Sequence, residues 1–377
     1  MKIVLDPQIF NSQRYGGISR YYTEVFSRLS TNNDILFPAY HVQNIYFNES
    51  NLVTPRQKTY LFYIKVLTKI RLRRIEKTSK KNFAIFKNTV LKQQFDLFVP
   101  TYYDSYFLDY IGSKPFVLTV YDMIHELFPE FFINDKMVVP NKKYLMEIAT
   151  RIIAVSENTK KDIIKIYPHI DSSKIDVVYH GCSIEINKVK SEILPEKYIL
   201  FVGTRAIYKN FIFLVQSITT LLKNDKDLHL ICAGGGDFNS VEKELILELG
   251  LESQISQKYF NEDELGYFYN RAICFVFPSM YEGFGIPVLE SMTCGCPVVL
   301  GKHSSFPEVA GDAGVYFDIN SAHDLKDKIS SLVQNESLRN EFSLKGLEQA
   351  KKFSWEKAAS ECLAVYKKAC IINGKLK

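Results

Sequence analysis

Short apolar runs rich in Val, Ile and Phe alternate with longer amphipathic segments along the whole chain. The runs at 3–5, 97–99, 116–120, 152–155, 199–202, 228–233, 273–277 and 298–300 are nearly continuous in apolar residues. Strands buried on both faces of a parallel sheet have this signature. Between them, "SRYYTEVFSRL", "ENTKKDIIKIY", "NFIFLVQSITTLL" and "SVEKELILEL" repeat apolar positions at helical spacing. The pattern predicts an α/β protein with doubly wound parallel sheets.

The polar segment 181–197, "GCSIEINKVKSEILPEK", separates two such series and carries Pro195 just before a new strand. The predicted organisation is an N-terminal domain at 1–190, a second domain at 191–353 and a closing helix at 354–377, where "SWEKAASECLAVYKKACII" has helical spacing. No repeat of solenoid length interrupts this order. A length of 377 residues suits two domains of common size.

A hydrophobic fraction of 46% and a charged fraction of 24% belong to a globular chain rather than a disordered one. The seven cysteines form no CxxC pair and sit mostly in apolar stretches, which points to a reducing compartment. Cys294 and Cys296 lack a second Cys/His pair nearby, so no metal site is expected. The start, "MKIVLDPQIF", is far from a secretory leader, and no run reaches the roughly 18 apolar residues of a membrane span. A cytoplasmic protein is expected, peripheral on the inner face of the plasma membrane at most.

Charge is uneven. Residues 56–92 hold twelve Lys and Arg against the single Glu76, a net +11, while the whole chain carries +5. Apolar residues from Tyr60 to Leu72 would give a helix there one apolar side. Such a helix suits an anionic lipid surface or simply packs on its own domain with its charges in solvent. Nucleic acid ranks below both, because no recognition motif accompanies the charge.

The chemistry concentrates in 278–299, "PSMYEGFGIPVLESMTCGCPVV". "PSMYEGFG" is a loop at the carboxyl end of a predicted strand, and Pro287 suits the first turn of the next helix. Ligands of open α/β sheets bind at such loops. Gly283 and Gly285 allow close backbone approach, and amides at the helix start suit a phosphate. Glu282 then accepts from hydroxyls attached to that phosphate, and Glu290 reaches a ribose diol.

"EGFGIPVLE" resembles the E-x7-E motif of retaining glycosyltransferases of family 4, which have the two-domain GT-B fold. "YGGISRYYTEVFSRL", "TVYDMIHELFPEFF", "IIAVSENTKKDI", "FVGTRAIYKNF", "ICAGGGDF" and "FPEVAGDAGVYFD" are similar to further family landmarks in the same order. The resemblance implies two Rossmann-like domains facing a cleft. It implies a hexose, mannose favoured, moved without metal or cofactor from a nucleoside-diphosphate sugar, GDP-mannose favoured, to a glycan or lipid-linked acceptor in surface-polysaccharide biosynthesis.

By the same resemblance, Glu282, Arg205 and Lys209 are the catalytic set, with Arg205 and Lys209 on the diphosphate. Gly16, Gly17, Gly283, Phe284, Gly285, Ile286, Leu289 and Glu290 are donor-binding. Residues 258–262, "KYFNE", align with the part that holds the nucleobase. Tyr121, Asp122 and His125 face the acceptor or sugar. Tyr121 replaces a histidine that many members carry, which removes a cationic donor.

Other readings are weaker. "ICAGGGDFN" lacks the third glycine of a dinucleotide fingerprint, which counts against an NAD enzyme. A nucleotide-sugar epimerase of the same fold and a catalytically silent glycan-binding subunit are the alternatives. The presence of Arg205, Lys209 and Glu290 favours the transferase.

Overall fold

A computed structural model describes residues 1–55, 57–59, 75–187 and 194–374. The chain forms two compact units, 1–180 with 355–377, and 181–354. The first unit ends at His180 rather than at 190: Glu185 already belongs to the second, where its carbonyl oxygen would lie 2.0 Å from a Cβ at Gly266.

In the first unit, β1 (Lys2–Leu5) lies between β2 (Asp34–Leu36) and β3 (Leu97–Val99), and β5 (Arg151–Ala154) lies between β4 (Val117–Val120) and β6 (Ile175–Val177). All pairings are parallel, and a parallel bridge between Phe98 and Phe116 joins the two sheets. The order β2-β1-β3-β4-β5-β6 places a reversal between β1 and β3. Helix Trp355–Ile372 returns to this unit and packs on helix Gly17–Leu29, with the Tyr21 hydroxyl 3.2 Å from Cys362 Sγ and Arg28 Nε 2.8 Å from Glu356.

The second unit is one parallel sheet in the order β12-β11-β10-β7-β8-β9. Its strands are β7 (Lys197–Val202), β8 (Leu228–Ala233), β9 (Ile255–Lys258), β10 (Cys274–Phe277), β11 (Val298–Gly301) and β12 (Gly314–Phe317). Counted from β7, this is the doubly wound order of a dinucleotide-binding sheet, with its reversal between β7 and β10. On one face Phe211, Leu214, Val215 and Ile218 of helix Phe211–Asn224 and Leu325 and Ile329 of helix Ala322–Gln334 join alternate strand residues in the core, and on the other Tyr269 and Phe306 pack on Phe275 and Phe277 at 5.3 and 5.6 Å between ring centroids.

Of the basic segment, residues 56 and 60–74 lie outside the described residues, and so does the expected apolar side from Tyr60 to Leu72. Where helix Ile75–Leu91 is described, Phe86 and Val90 are buried, and Phe86 packs 5.0 Å from the Tyr106 ring. Lys80, Lys81, Lys87 and Lys92 are exposed. Among the described residues no helix is long and apolar enough to cross a membrane.

Candidate active site

Three loops leave the carboxyl ends of the adjacent strands β11, β10 and β7 and interlock. The loop after β7 tightens into a 3-10 turn, Ile207–Lys209, and Met280 N of the loop after β10 donates to the Tyr208 carbonyl at 2.8 Å. Lys209 Nζ meets Glu282 Oε1 at 2.5 Å, with side chains 14% and 15% exposed. Burial pulls the Lys209 ammonium down, but the Glu282 carboxylate and Tyr208 more than offset this, so its pKa lies above the ordinary value. The ammonium also sits 4.8 Å from the Phe277 ring centroid and 5.0 Å from that of Tyr208.

The loop after β11 braces Glu282 from the other side. The Ser304 hydroxyl accepts from Glu282 N at 3.0 Å and donates to the Glu282 carbonyl at 2.5 Å. The Ser305 hydroxyl lies 3.0 Å from the Glu282 carbonyl and 2.9 Å from that of Phe284, and His303 Nε2 donates to the Ser279 carbonyl at 3.0 Å. These three residues escape sequence reasoning; the polar "KHSS" just past an apolar run was the available signal.

Helix Ile286–Thr293 starts at Gly285, whose φ of 95° is in the left-handed region and whose position is capped by no side chain. Gly283 is not among the positive-φ glycines, so the conformational need for glycine lies at 285. Glu290 is 5% exposed and accepts from the Tyr269 hydroxyl at 3.3 Å. Burial and the charge of Glu290 push the Tyr269 phenol well up. Phe284 and Leu289, read from sequence as donor-binding, have side chains in the core at 3% and 0% exposure, so only their backbone is placed to meet a ligand. Ile286 is half-buried at the helix start.

Arg205 departs from its expected role. Its side chain is 3% exposed, and four of the five guanidinium N–H groups have protein acceptors. Nε donates to Glu242 Oε2 at 3.0 Å, Nη1 to the Gly234 carbonyl at 3.3 Å, and Nη2 to the carbonyls of Gly236 and Asp237, each at 2.8 Å. Glu242 at the same time completes the capping box of helix Ser240–Glu248 with Asn239. Gly234, Gly235 and Gly236 all have positive φ, and a Cβ at Gly235 would lie 2.3 Å from the Gly203 carbonyl oxygen. The glycine run therefore lets two loops touch backbone to backbone and gathers carbonyls on Arg205. The guanidinium as placed organises this turn instead of presenting its fork to a diphosphate. In "KYFNE", Tyr259 hydroxyl bonds Asp237 at 2.8 Å and Phe260 packs on Phe268 at 6.1 Å.

In the first unit, Gly16 is extended (φ 170°) and precedes helix Gly17–Leu29; a Cβ there would lie 2.3 Å from Gln13 Oε1, which accepts from Ser19 N at 3.3 Å. Tyr121 is 8% exposed within an aromatic cluster, its ring 6.0 Å from Tyr21 and 6.2 Å from Tyr22, so its hydroxyl is turned into the core and not presented to a sugar. Asp122 on the following loop and His125 in the short helix Ile124–Leu127 are half-buried; the His125 ring lies 4.2 Å from Phe132, tilted against it, and His125 is 3.6 Å from Asp135 Oδ2. That loop is pinned by Lys142, fully buried, which donates to the Asp122 carbonyl at 3.0 Å and pairs with Glu126 at 2.7 Å. Among the described residues no group of three or more His, Cys, Asp or Glu side chains is placed to hold a metal.

Residues 183–349 match the family model described as glycosyl transferases group 1. The chain is similar to O-antigen chain mannosyltransferase B of Escherichia coli, 31% identical over 266 residues that cover 67% of this chain and 70% of that protein. It is also similar to O-antigen chain mannosyltransferase RfbU of Salmonella typhimurium, 28% identical over 226 residues covering 58% and 60% of the two. Among solved structures, sucrose-phosphate synthase from Thermosynechococcus elongatus matches with a TM-score of 0.73 at 17% identity over 98% of each chain. Anabaena Alr3699/HepE in complex with UDP and glucose matches at 0.70 and 17%, covering 97% and 99%. These structural likenesses bear on the fold, which is GT-B. With the strand order, the Glu282 site and these sequence matches together, the chain belongs to the group 1 glycosyltransferases.

Proposed function

We propose that this glycosyltransferase moves a hexose, mannose favoured, from a nucleoside-diphosphate sugar to a hydroxyl of a glycan or lipid-linked acceptor in surface-polysaccharide biosynthesis. The transfer retains anomeric configuration and uses no metal. GDP-mannose is the favoured donor, a choice supported by the mannosyltransferases among the relatives. The single observation that carries the reading is Glu282, held at the strand-order reversal between Lys209 and Ser304.

In this reading Lys209 supplies positive charge to the departing diphosphate, in a largely buried site where such charge acts strongly. Glu282, released from Lys209 as the diphosphate takes the ammonium, accepts from donor-sugar hydroxyls. The start of helix Ile286–Thr293 lies beside them, where its dipole favours phosphate. Glu290 holds the ribose diol. Arg205 supports the site by shaping the turn 234–237. Asp122 and His125 serve the acceptor side, on the loop that Lys142 fixes.

Calorimetric titration with GDP, UDP and dTDP, and NAD as control, tests this reading. One nucleoside diphosphate should bind, NAD should not, and Glu290→Gln should weaken the binding roughly tenfold, the value of one charge-assisted hydrogen bond. Failure of all three diphosphates would remove the reading. We further propose a cytoplasmic enzyme held on the inner membrane face by residues 56–92. Sedimentation with anionic vesicles should fall as salt rises; equal binding to neutral vesicles would contradict it.

A further inference from the structure

We propose that Ser304, backed by Ser305 and His303, is a positioning residue that sets which sugar epimer Glu282 accepts. This deepens the donor-site reading above and rests on it.

Ser304 bonds both the amide and the carbonyl of Glu282, so one hydroxyl fixes the peptide units on either side of the Glu282 Cα. The direction of the Cα–Cβ bond is thereby set from the β11 side. Lys209 sets the carboxylate end from the β7 side. Ser305 and His303 repeat the bracing at Phe284 and Ser279, the flanks of the same loop. Once the diphosphate has drawn Lys209 away, a carboxylate whose Cα–Cβ bond is still fixed through Ser304 has little freedom to follow a misplaced hydroxyl, and a site built to bond one hydroxyl arrangement rejects its epimer.

Ser304 also carries a cost that serves this purpose. Its φ of 56° lies in the left-handed region, which is uncommon outside glycine. Three glycines elsewhere in this unit, at 234, 235 and 236, answer the same backbone need. Serine here gives up that ease and retains a hydroxyl aimed at Glu282. Strain kept at a site residue points to use of its side chain.

The bare nucleoside diphosphate has no hexose hydroxyl for Glu282, so its binding is independent of Ser304; the hexose contribution is not. Calorimetry with GDP, UDP and dTDP, and with each as paired epimeric conjugates such as GDP-mannose and GDP-glucose, separates the two. Ser304→Gly relaxes the backbone and keeps the fold testable, and Ser304→Ala removes the hydroxyl with the backbone strain left in place. Both should bind the bare diphosphate within about twofold of the parent, while the preferred nucleotide hexose weakens roughly tenfold and the epimers draw level. In a Glu282→Gln background, Ser304→Gly should add less than about twofold, because it acts through Glu282.

An unchanged epimer ratio in Ser304→Gly overturns the inference. So does equal loss of bare diphosphate and conjugate, which would make Ser304 a general structural brace. If the parent protein binds no nucleoside diphosphate, the donor-site reading itself has failed and this inference falls with it.

Discussion

Lys209 and Glu282 stand 73 positions apart in sequence and meet at 2.5 Å where the second sheet reverses its strand order. Each neutralises the other in a largely buried position, so neither charge is left without compensation. Removing one partner strands the other. Lys209→Met and Glu282→Gln should each destabilise the protein by about 2 kcal/mol, less than for a fully buried pair because solvent still screens this one. The double variant should lose less than the two singles together. Urea unfolding of all four proteins measures the coupling; strict additivity would mean that the pair contributes nothing.

Arg205 is a test of structure against chemistry. Arg205→Lys replaces a planar fork by a point charge and cannot serve four acceptors, so it should destabilise by about 2 kcal/mol. Faster amide hydrogen exchange around residues 234–237 should accompany that loss. A variant of parental stability that loses nucleoside diphosphate binding would instead place Arg205 on the phosphates.

Asp6 follows β1 in the first unit, fully buried, and accepts from the Tyr106 hydroxyl and from Thr101 N. Burial raises its carboxyl to about 6, with the hydrogen bonds opposing. The native state therefore binds this proton more tightly than the unfolded chain does. Its contribution to stability is full below about 3.8 and is lost as pH rises through about 6. Over some two pKa units that is about 3 kcal/mol. Asp6→Asn should remove this falling limb from a plot of stability against pH between 4 and 6.

His180 acts with the opposite sign. It is buried beside Tyr21, at 4.8 Å between ring centroids, and Trp355, at 5.9 Å, and burial lowers its pKa to about 3. The native state holds it neutral, so its contribution is full above 6.5 and is lost as pH falls toward about 3. His180→Phe should flatten the acid limb below pH 6.5. An unchanged limb would mean that other groups govern acid unfolding.

The strands missing from the sequence pattern are β2, β6, β9 and β12, and each lies at a sheet edge. Edge strands need not be apolar throughout: "DIL", "IDV" and "ISQK" each mix polar and apolar residues. Central strands such as β10 and β11 are buried at every residue and stand out. The site divides in a similar way. Glu282 and Lys209 follow central strands and are readable from strand ends and glycines. Ser304 makes its point through one hydroxyl and one dihedral angle, and Tyr121 fills a core where the family resemblance implied a ligand contact. Arg205 has the residue type and position of a phosphate ligand; the Glu242 carboxylate and the carbonyls of a distant glycine turn reveal its engagement.

The most direct measurement is transfer itself. Purified protein is incubated with radiolabelled GDP-, UDP- and dTDP-hexoses and a lipid-linked saccharide extract from a polysaccharide-producing bacterium, and label is counted in the lipid phase. One donor, GDP-mannose first, should label the lipid with the donor's anomeric configuration kept. Glu282→Gln should lower the rate on the order of 100-fold, as loss of a transition-state hydrogen-bond partner does. No labelling from any donor, or a Glu282→Gln variant as active as the parent, would contradict the account.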